Sequence, residues 1–165
     1  MRYFLGVDPG QAGALAVLTA AGDLESVVPL PYIGGEPMAA DIAALLLAVA
    51  SAEDLFVALE EPFAVRQNSS QSSLTQGVGY GILLGVVGTL GLRHERIKPT
   101  DWKRELGLPM GKQYSRAEKK NHSRKRASQL WPTMAEHWAR ATQDGPAEAA
   151  LIGEAVRRRV IGSQP

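Results

Sequence analysis

Residues 2–19 read RYFLGVDPGQAGALAVLT. Their order of apolar run, acid, turn and second apolar run decides the fold. Residues 2–8 predict a buried strand that ends on Asp8. Pro9, Gly10, Gln11, Ala12 and Gly13 predict a turn, and residues 14–19 predict a second strand. Ala20, Ala21, Gly22 and Asp23 read as a hairpin turn before a short strand over residues 24–28. Three antiparallel strands in succession are the simplest reading of the first 28 positions.

Working outward, residues 29–37 read as a loop. Residues 38–52 carry Ile42, Leu45, Leu46 and Val49 at helical spacing. Residues 55–59 predict a fourth buried strand that runs into Glu60, Glu61 and Pro62, where the proline forces the chain out of the sheet. A polar loop over 64–71 and a helix over 72–90 follow, then a strand over 93–97. A short helix over 99–106 starts at Pro99 or Thr100. A loop over 108–114, a basic helix over 115–130 stopped by Trp131 and Pro132, a turn or short helix over 134–141 and a last helix over 144–160 complete the chain. The pattern predicts an α/β protein, a mixed sheet with an antiparallel leading meander and later crossover helices. Residues 1–165 are read as one domain.

Composition excludes several classes. There is no cysteine, so disulfides, thiolate metal sites and cysteine nucleophiles are excluded. The first eight residues are too short and too soon acidic for a signal peptide. The longest apolar stretch, 77–92, is interrupted by glycines and too short to span a bilayer. The chain is therefore expected to be soluble and cytoplasmic. Net charge is only +1, yet Lys98, Lys103, Arg104, Lys112, Arg116, Lys119, Lys120, Arg124, Lys125 and Arg126 face only Asp101, Glu105 and Glu118 within one stretch. Such a block suits either a polyanionic partner or a solvated helix face.

Acids end or begin the elements around the predicted sheet. Hydrolysis of a phosphodiester needs an activated water and a stabilised leaving oxygen. Two divalent ions about 4 Å apart supply both, and carboxylates from separate elements are their natural ligands. Asp8 fits that role, or that of a turn residue after a strand. Glu60 closes a buried strand, where an unpaired charge is costly. Glu61 competes with it, but alternation puts the two on opposite faces, and Glu60 is favoured because Pro62 redirects the chain after Glu61. Asp144, Gly145, Pro146 and Glu148 suit a helix N-terminus by themselves. Positions i and i+4 also share a helix face, so Asp144 and Glu148 could reach one metal pair.

Three segments, Phe4 with Leu5, Gly6, Val7, Asp8, Pro9 and Gly10, then Val57 to Phe63, and finally Asp144 to Ile152, resemble the RuvC-type Holliday junction resolvases in that order. Lys98 to Lys103 and Leu130, Trp131 and Pro132 resemble that family's connecting segments. The likeness is to its shorter, phage-associated branch and covers nearly the whole chain. It implies a ribonuclease H-like fold, a homodimer, and two magnesium or manganese ions. It also implies paired nicks at a four-way DNA junction, in recombination and repair, leaving 5′-phosphate and 3′-hydroxyl ends. Asp8 would bridge both ions, and Glu60, Asp144 and Glu148 would complete their shells. Bacterial members commonly space the last pair at i and i+3. Here Ala147 stands at i+3 and the acid at i+4.

The same likeness makes Phe63 an aromatic that inserts at the junction point, though it could instead fold into the core. Asn68 and Ser69, with their polar neighbours, could donate hydrogen bonds to DNA. Lys103, Lys112, Lys119 and Lys120 fall where phosphate-contacting lysines stand in the family. Gly77, Gly81 and Gly85 recur every fourth position and form one ridge on the predicted helix. Each glycine costs about 1 kcal/mol in a helix interior, so close packing is expected there. The packing could be against the chain's own sheet, or, as the resemblance implies, across a dimer interface.

Three rivals remain on the sequence. One is another nuclease of the same fold acting on branched DNA or an RNA–DNA hybrid. A second is a module that binds branched DNA without cutting it, against which the full set of four acids argues. The third, a nucleotide-binding protein related to actin and the sugar kinases, would need two such lobes.

Overall fold

The computed structural model describes residues 2–49, 54–62, 70–140 and 144–162. Phe63, Asn68 and Ser69 lie outside the described residues. Strands β1 (Tyr3–Val7), β2 (Ala14–Thr19) and β3 (Leu24–Pro29) form the expected meander. β1 pairs antiparallel with β2, from Tyr3 opposite Thr19 to Val7 opposite Leu15.

The stretch read as a plain loop holds a separate ribbon instead, β4 (Tyr32–Ile33) against β5 (Glu36–Pro37). Its turn, Gly34 and Gly35, has φ of 61° and 87°. Two successive positive φ values give a two-residue hairpin turn whose twist matches its strands. Strands of two residues carry no periodicity, which is why the ribbon escapes a pattern-based reading.

Helix α1 (Ala39–Val49) leads towards β6 (Leu55–Glu60), which pairs parallel with β1, Val7 standing opposite Leu59. Helix α2 (Ser70–Thr89) begins two residues before the expected start and returns the chain to β7 (Arg93–Ile97), parallel to β6. The sheet order is β3-β2-β1-β6-β7. Then come α3 (Pro99–Glu105), α4 (Arg116–Leu130), a 3-10 helix over Pro132–Trp138 and α5 (Asp144–Gly162).

Both sheet faces are covered, which explains the near-continuous apolar runs of β1 and β2. On one face Leu5, Val7, Leu15, Val57 and Leu59 pack with Ile42 and Leu46 of α1 and Leu83 and Val87 of α2. On the other, Phe4, Ala14, Ala16, Leu18 and Ala58 meet α5. Helix α5 is buried almost all round from Asp144 to Val156. It lies between the sheet on one side and α4 with the 3-10 helix on the other. Small residues let it sit close to the strands. At Gly6, a Cβ would fall 1.9 Å from the carbonyl oxygen of Ala149 and 2.4 Å from the nitrogen of Gly153.

Candidate metal centre

Parallel pairing of β1 with β6 brings two acids out of the sheet side by side. Val7 is level with Leu59, so the next residues, Asp8 and Glu60, leave adjacent strands at one height. The third element is the start of α5. Gly145 abuts the 10–13 turn, and a Cβ there would lie 1.9 Å from the carbonyl oxygen of Ala12. That contact sets Asp144, at the helix N-terminus, beside the turn that follows Asp8. Asp8, Glu60, Asp144 and Glu148 line one cleft of about 410 Å³.

Each acid has a defined partner. The backbone N–H of Gly10 donates to Asp8 Oδ1 at 3.0 Å. Trp102 Nε1 donates to Glu60 Oε1 at 2.8 Å. Lys120 Nζ lies 2.5 Å from Asp144 Oδ2. Lys103 Nζ lies 3.2 Å from Glu148 Oε1, and Ser123 Oγ donates to the same oxygen at 2.9 Å. Trp102 is fully buried in α3, so its indole is a rigid donor. Lys103 follows it on the same helix and stands 4.7 Å from the indole centre. Helix α4 is started by a reciprocal cap, in which Ser115 N donates to Glu118 Oε2 and Glu118 N donates to Ser115 Oγ. Lys119, Lys120 and Ser123 follow at helical spacing, so one face of α4 reaches the cleft.

The cleft destabilises negative charge. Burial, then the charges of Glu148 and Asp144, push the Asp8 carboxyl up to about 7, against a stabilising hydrogen bond from Gly10. Burial, then Asp8 and Glu148, push Glu60 up to about 8, against the Trp102 hydrogen bond. Glu61 also borders the cleft, but its carboxylate pairs with Arg96 at 3.7 Å, and its N–H donates to Ile97 in β7.

Among the described residues no three acids stand close enough together to enclose an ion. Asp144 and Glu148 are held by ammonium groups instead. Oxygen donors drawn from four carboxylates nevertheless fit a hard divalent cation. The raised affinity of Asp8 and Glu60 for protons marks a site short of positive charge.

Lys103, Lys119 and Lys120 line the cleft, whereas Lys112 is exposed away from it. Arg116 and Gln76 line it too. Together with the partners Trp102 and Ser123, they were not singled out as site residues from sequence. For Ser123 the signal was present: it stands four residues after Lys119, on the helix face that carries the lysines. Trp102 gave none, because an indole within an apolar core and one holding a carboxylate look alike in sequence.

The glycine ridge turns outward. Gly77, Gly81 and Gly85 are exposed, and beyond their chain neighbours and the helix's own backbone no heavy atom of the described residues comes within 4 Å of a Cβ placed on any of them. They do not pack on the chain's own sheet. The glycine that packs inward is Gly79, where a Cβ would lie 3.5 Å from the Tyr32 hydroxyl.

The sequence matches no family model and no curated protein. Solved structures are similar over the full length. A structure of Thermus thermophilus RuvC in complex with Holliday junction substrate superposes with a TM-score of 0.67 at 19% identity, covering 99% of this chain and 98% of that one. A second Thermus thermophilus RuvC structure gives 0.64 at 20% identity, with 96% of each chain covered. The mixed five-stranded sheet flanked by helices is therefore the ribonuclease H-like fold of these neighbours.

Proposed function

We propose that this chain is a metal-dependent endonuclease that resolves four-way DNA junctions by paired, symmetric nicks. The observation that carries the reading is the convergence of Asp8, Glu60, Asp144 and Glu148 on one cleft bordered by Lys103, Arg116, Lys119 and Lys120. Acids alone would repel a phosphodiester. Ionising Asp8 and Glu60 beside Asp144 and Glu148 leaves the cleft in need of more positive charge before a polyanion can enter. The full-length likeness to a RuvC bound to a Holliday junction supports a branched DNA substrate.

Asp8, Glu60, Asp144 and Glu148 would hold two magnesium or manganese ions. When bound, such ions stabilise charge developing on the phosphodiester and make water acidic enough to attack at neutral pH. The protein's own groups do the rest. Trp102 keeps Glu60 oriented by one fixed hydrogen bond. Ser123 does the same for Glu148. Arg116 and Lys119 offer positive charge to phosphates entering the cleft.

The exposed ridge of Gly77, Gly81 and Gly85 supports a two-fold dimer with α2 in its interface, which suits a substrate with two symmetric strands to cut. No helix among the described residues is long and apolar enough to cross a membrane. A cytoplasmic nuclease of one domain, from the phage-associated branch, is the reading that joins these features.

The test is cleavage of a mobile four-way junction with both strand pairs labelled, with and without magnesium or manganese. Forks, flaps, duplex and RNA–DNA hybrid run alongside. Paired nicks confined to the junction are expected. Preferred cutting of the hybrid would move the protein to a different activity of the same fold. Tight junction binding without cutting in any metal would make it a binding module.

A further inference from the structure

The outer face of α4 carries cations that the carboxylate cleft does not use. Arg124, Lys125 and Ser128 lie about a third of a turn round the helix from Lys120 and Ser123. They line a separate groove of about 490 Å³, whose other wall is Ala135, Trp138 and Ala139 at the 3-10 helix. No acidic side chain among the described residues lines it. The acid of that short helix, Glu136, borders a different hollow, beside the 10–13 turn.

Two hydrogen bonds fix the groove floor. The buried Trp138 donates from Nε1 to Ser128 Oγ at 2.8 Å, and that hydroxyl donates to the Arg124 carbonyl oxygen at 3.0 Å. The cations of the rim are not neutralised. Neither Arg124 nor Lys125 makes an ion pair among the described residues. Arg124 Nη2 donates to the uncharged Asn121 side chain at 3.2 Å, and the Arg124 Nε–H is buried without an acceptor. A buried donor left unpaired costs free energy that an incoming acceptor recovers. Lys103 and Lys120, by contrast, already face Glu148 and Asp144.

Positive charge here suits either a phosphate backbone or a peptide bearing carboxylates. The shape favours the peptide. A duplex offers phosphates to a cationic surface and has nothing apolar to put into a hollow walled by alanine and tryptophan. A peptide side chain fills such a hollow while carboxylates beside it pair with the rim, the division of an interface into apolar centre and polar edge. A carboxylate also accepts from two N–H groups of one guanidinium at once.

We propose that this groove docks an acidic segment of a partner protein. One large apolar side chain of that segment sits against Ala135, Trp138 and Ala139, and carboxylates beside it pair with Arg124 and Lys125. Because α4 turns a different face to the carboxylate cleft, partner and nucleic acid are held on separate surfaces. Docking here does not require the nuclease reading above.

The experiment uses the full chain, immobilised by one terminus, to select from a display library of random twelve-residue peptides. Enriched sequences are expected to carry several carboxylates around one aromatic or aliphatic residue. A fluorescein-labelled synthetic copy of the most enriched peptide serves as the probe. Arg124→Glu and Lys125→Glu are each expected to weaken its binding about tenfold, the scale of losing one interfacial anchor. Ala139→Trp should weaken it as much, by filling the groove with no change of charge.

Lys125 and Ala139 are exposed, so the melting temperatures of Lys125→Glu and Ala139→Trp should match wild type. Enriched peptides without carboxylates, or none enriched over a bare surface, would overturn the proposal. So would peptide binding that neither Lys125→Glu nor Ala139→Trp weakens. Displacement of the labelled peptide by unlabelled duplex DNA would assign the groove to a DNA arm and would overturn it as well.

Discussion

Gly6 of β1 and Gly153 of α5 meet backbone to backbone: a Cβ on Gly6 would lie 2.4 Å from the Gly153 nitrogen, and one on Gly153 would lie 3.0 Å from the Gly6 nitrogen. Asp8 is two residues beyond the first glycine. Glu148 lies five residues before the second. The contact therefore sets how far the acids at the N-terminus of α5 stand from those at the ends of β1 and β6.

Gly6→Ala is expected to lower stability by about 1–3 kcal/mol or more, the scale of overpacking a filled core. The clash is with backbone, which cannot rotate away. Chemical denaturation should show the loss. Metal-dependent cleavage should fall further than the unfolded fraction explains, because a displaced α5 carries Asp144 and Glu148 with it.

Asp8→Asn is expected to abolish cleavage, leave junction binding, and raise the melting temperature of the metal-free protein above pH 7. The folded-state affinities of Asp8 and Glu60 for protons are raised, to about 7 and about 8. The folded chain therefore holds protons that the unfolded chain has released between about pH 4 and pH 8. The contribution of these groups to stability is most favourable below that window and is lost as pH rises through it. Asn has no proton to lose, so the difference in melting temperature between variant and wild type should grow from pH 4 to pH 8. For Asp8 this amounts to on the order of 2–4 kcal/mol at the upper end. Added magnesium should shrink the difference by stabilising wild type. A pH-independent difference would show that Asp8 is not desolvated as described.

Lys120→Met is expected to tighten binding of manganese to the protein without DNA, as read by titration calorimetry. Lys120 Nζ stands 2.5 Å from Asp144 Oδ2, so a cation arriving at Asp144 must compete with it. The same variant should bind junction DNA more weakly, with a smaller salt dependence.

Trp102→Phe removes the indole donor to Glu60 while keeping most of the buried ring. Loss of that bond leaves burial and the charges of Asp8 and Glu148 opposed by Lys103 alone, so Glu60 should titrate still higher. The pH at which cleavage reaches half its maximum should move upward. A profile unchanged from wild type would show that the indole only fills space.

Gly81→Arg is expected to convert a dimer into a monomer in sedimentation experiments, with no loss of monomer stability. Apart from its chain neighbours and the backbone of its own helix, nothing of the described chain lies within 4 Å of a Cβ at that position. A dimer that survives this substitution would place the interface on another surface.

Much of this protein was determined by its sequence alone. Alternation and turn chemistry over residues 2–28 marked the meander, and β2 fell on the expected residues. Acids at the ends of Val7 and Leu59 stood out because charge closing a buried strand is rare. Ser115 and Glu118 announced the start of α4 by a local, reciprocal bond. These features depend on neighbours a few positions apart.

Other features came only with the tertiary structure, because they depend on which backbone approaches which over long separations. The sequence could not sort Gly79, packed under Tyr32, from Gly77, Gly81 and Gly85, open to solvent. Nor could it separate Lys103, Lys119 and Lys120 in the cleft from Lys112 outside it. Trp102 and Ser123 became partners of Glu60 and Glu148 across 42 and 25 residues of chain. Periodicity shows which face of an element is apolar. It does not show what that face meets, and at this site the meeting sets both the charge balance of the cleft and the orientation of its acids.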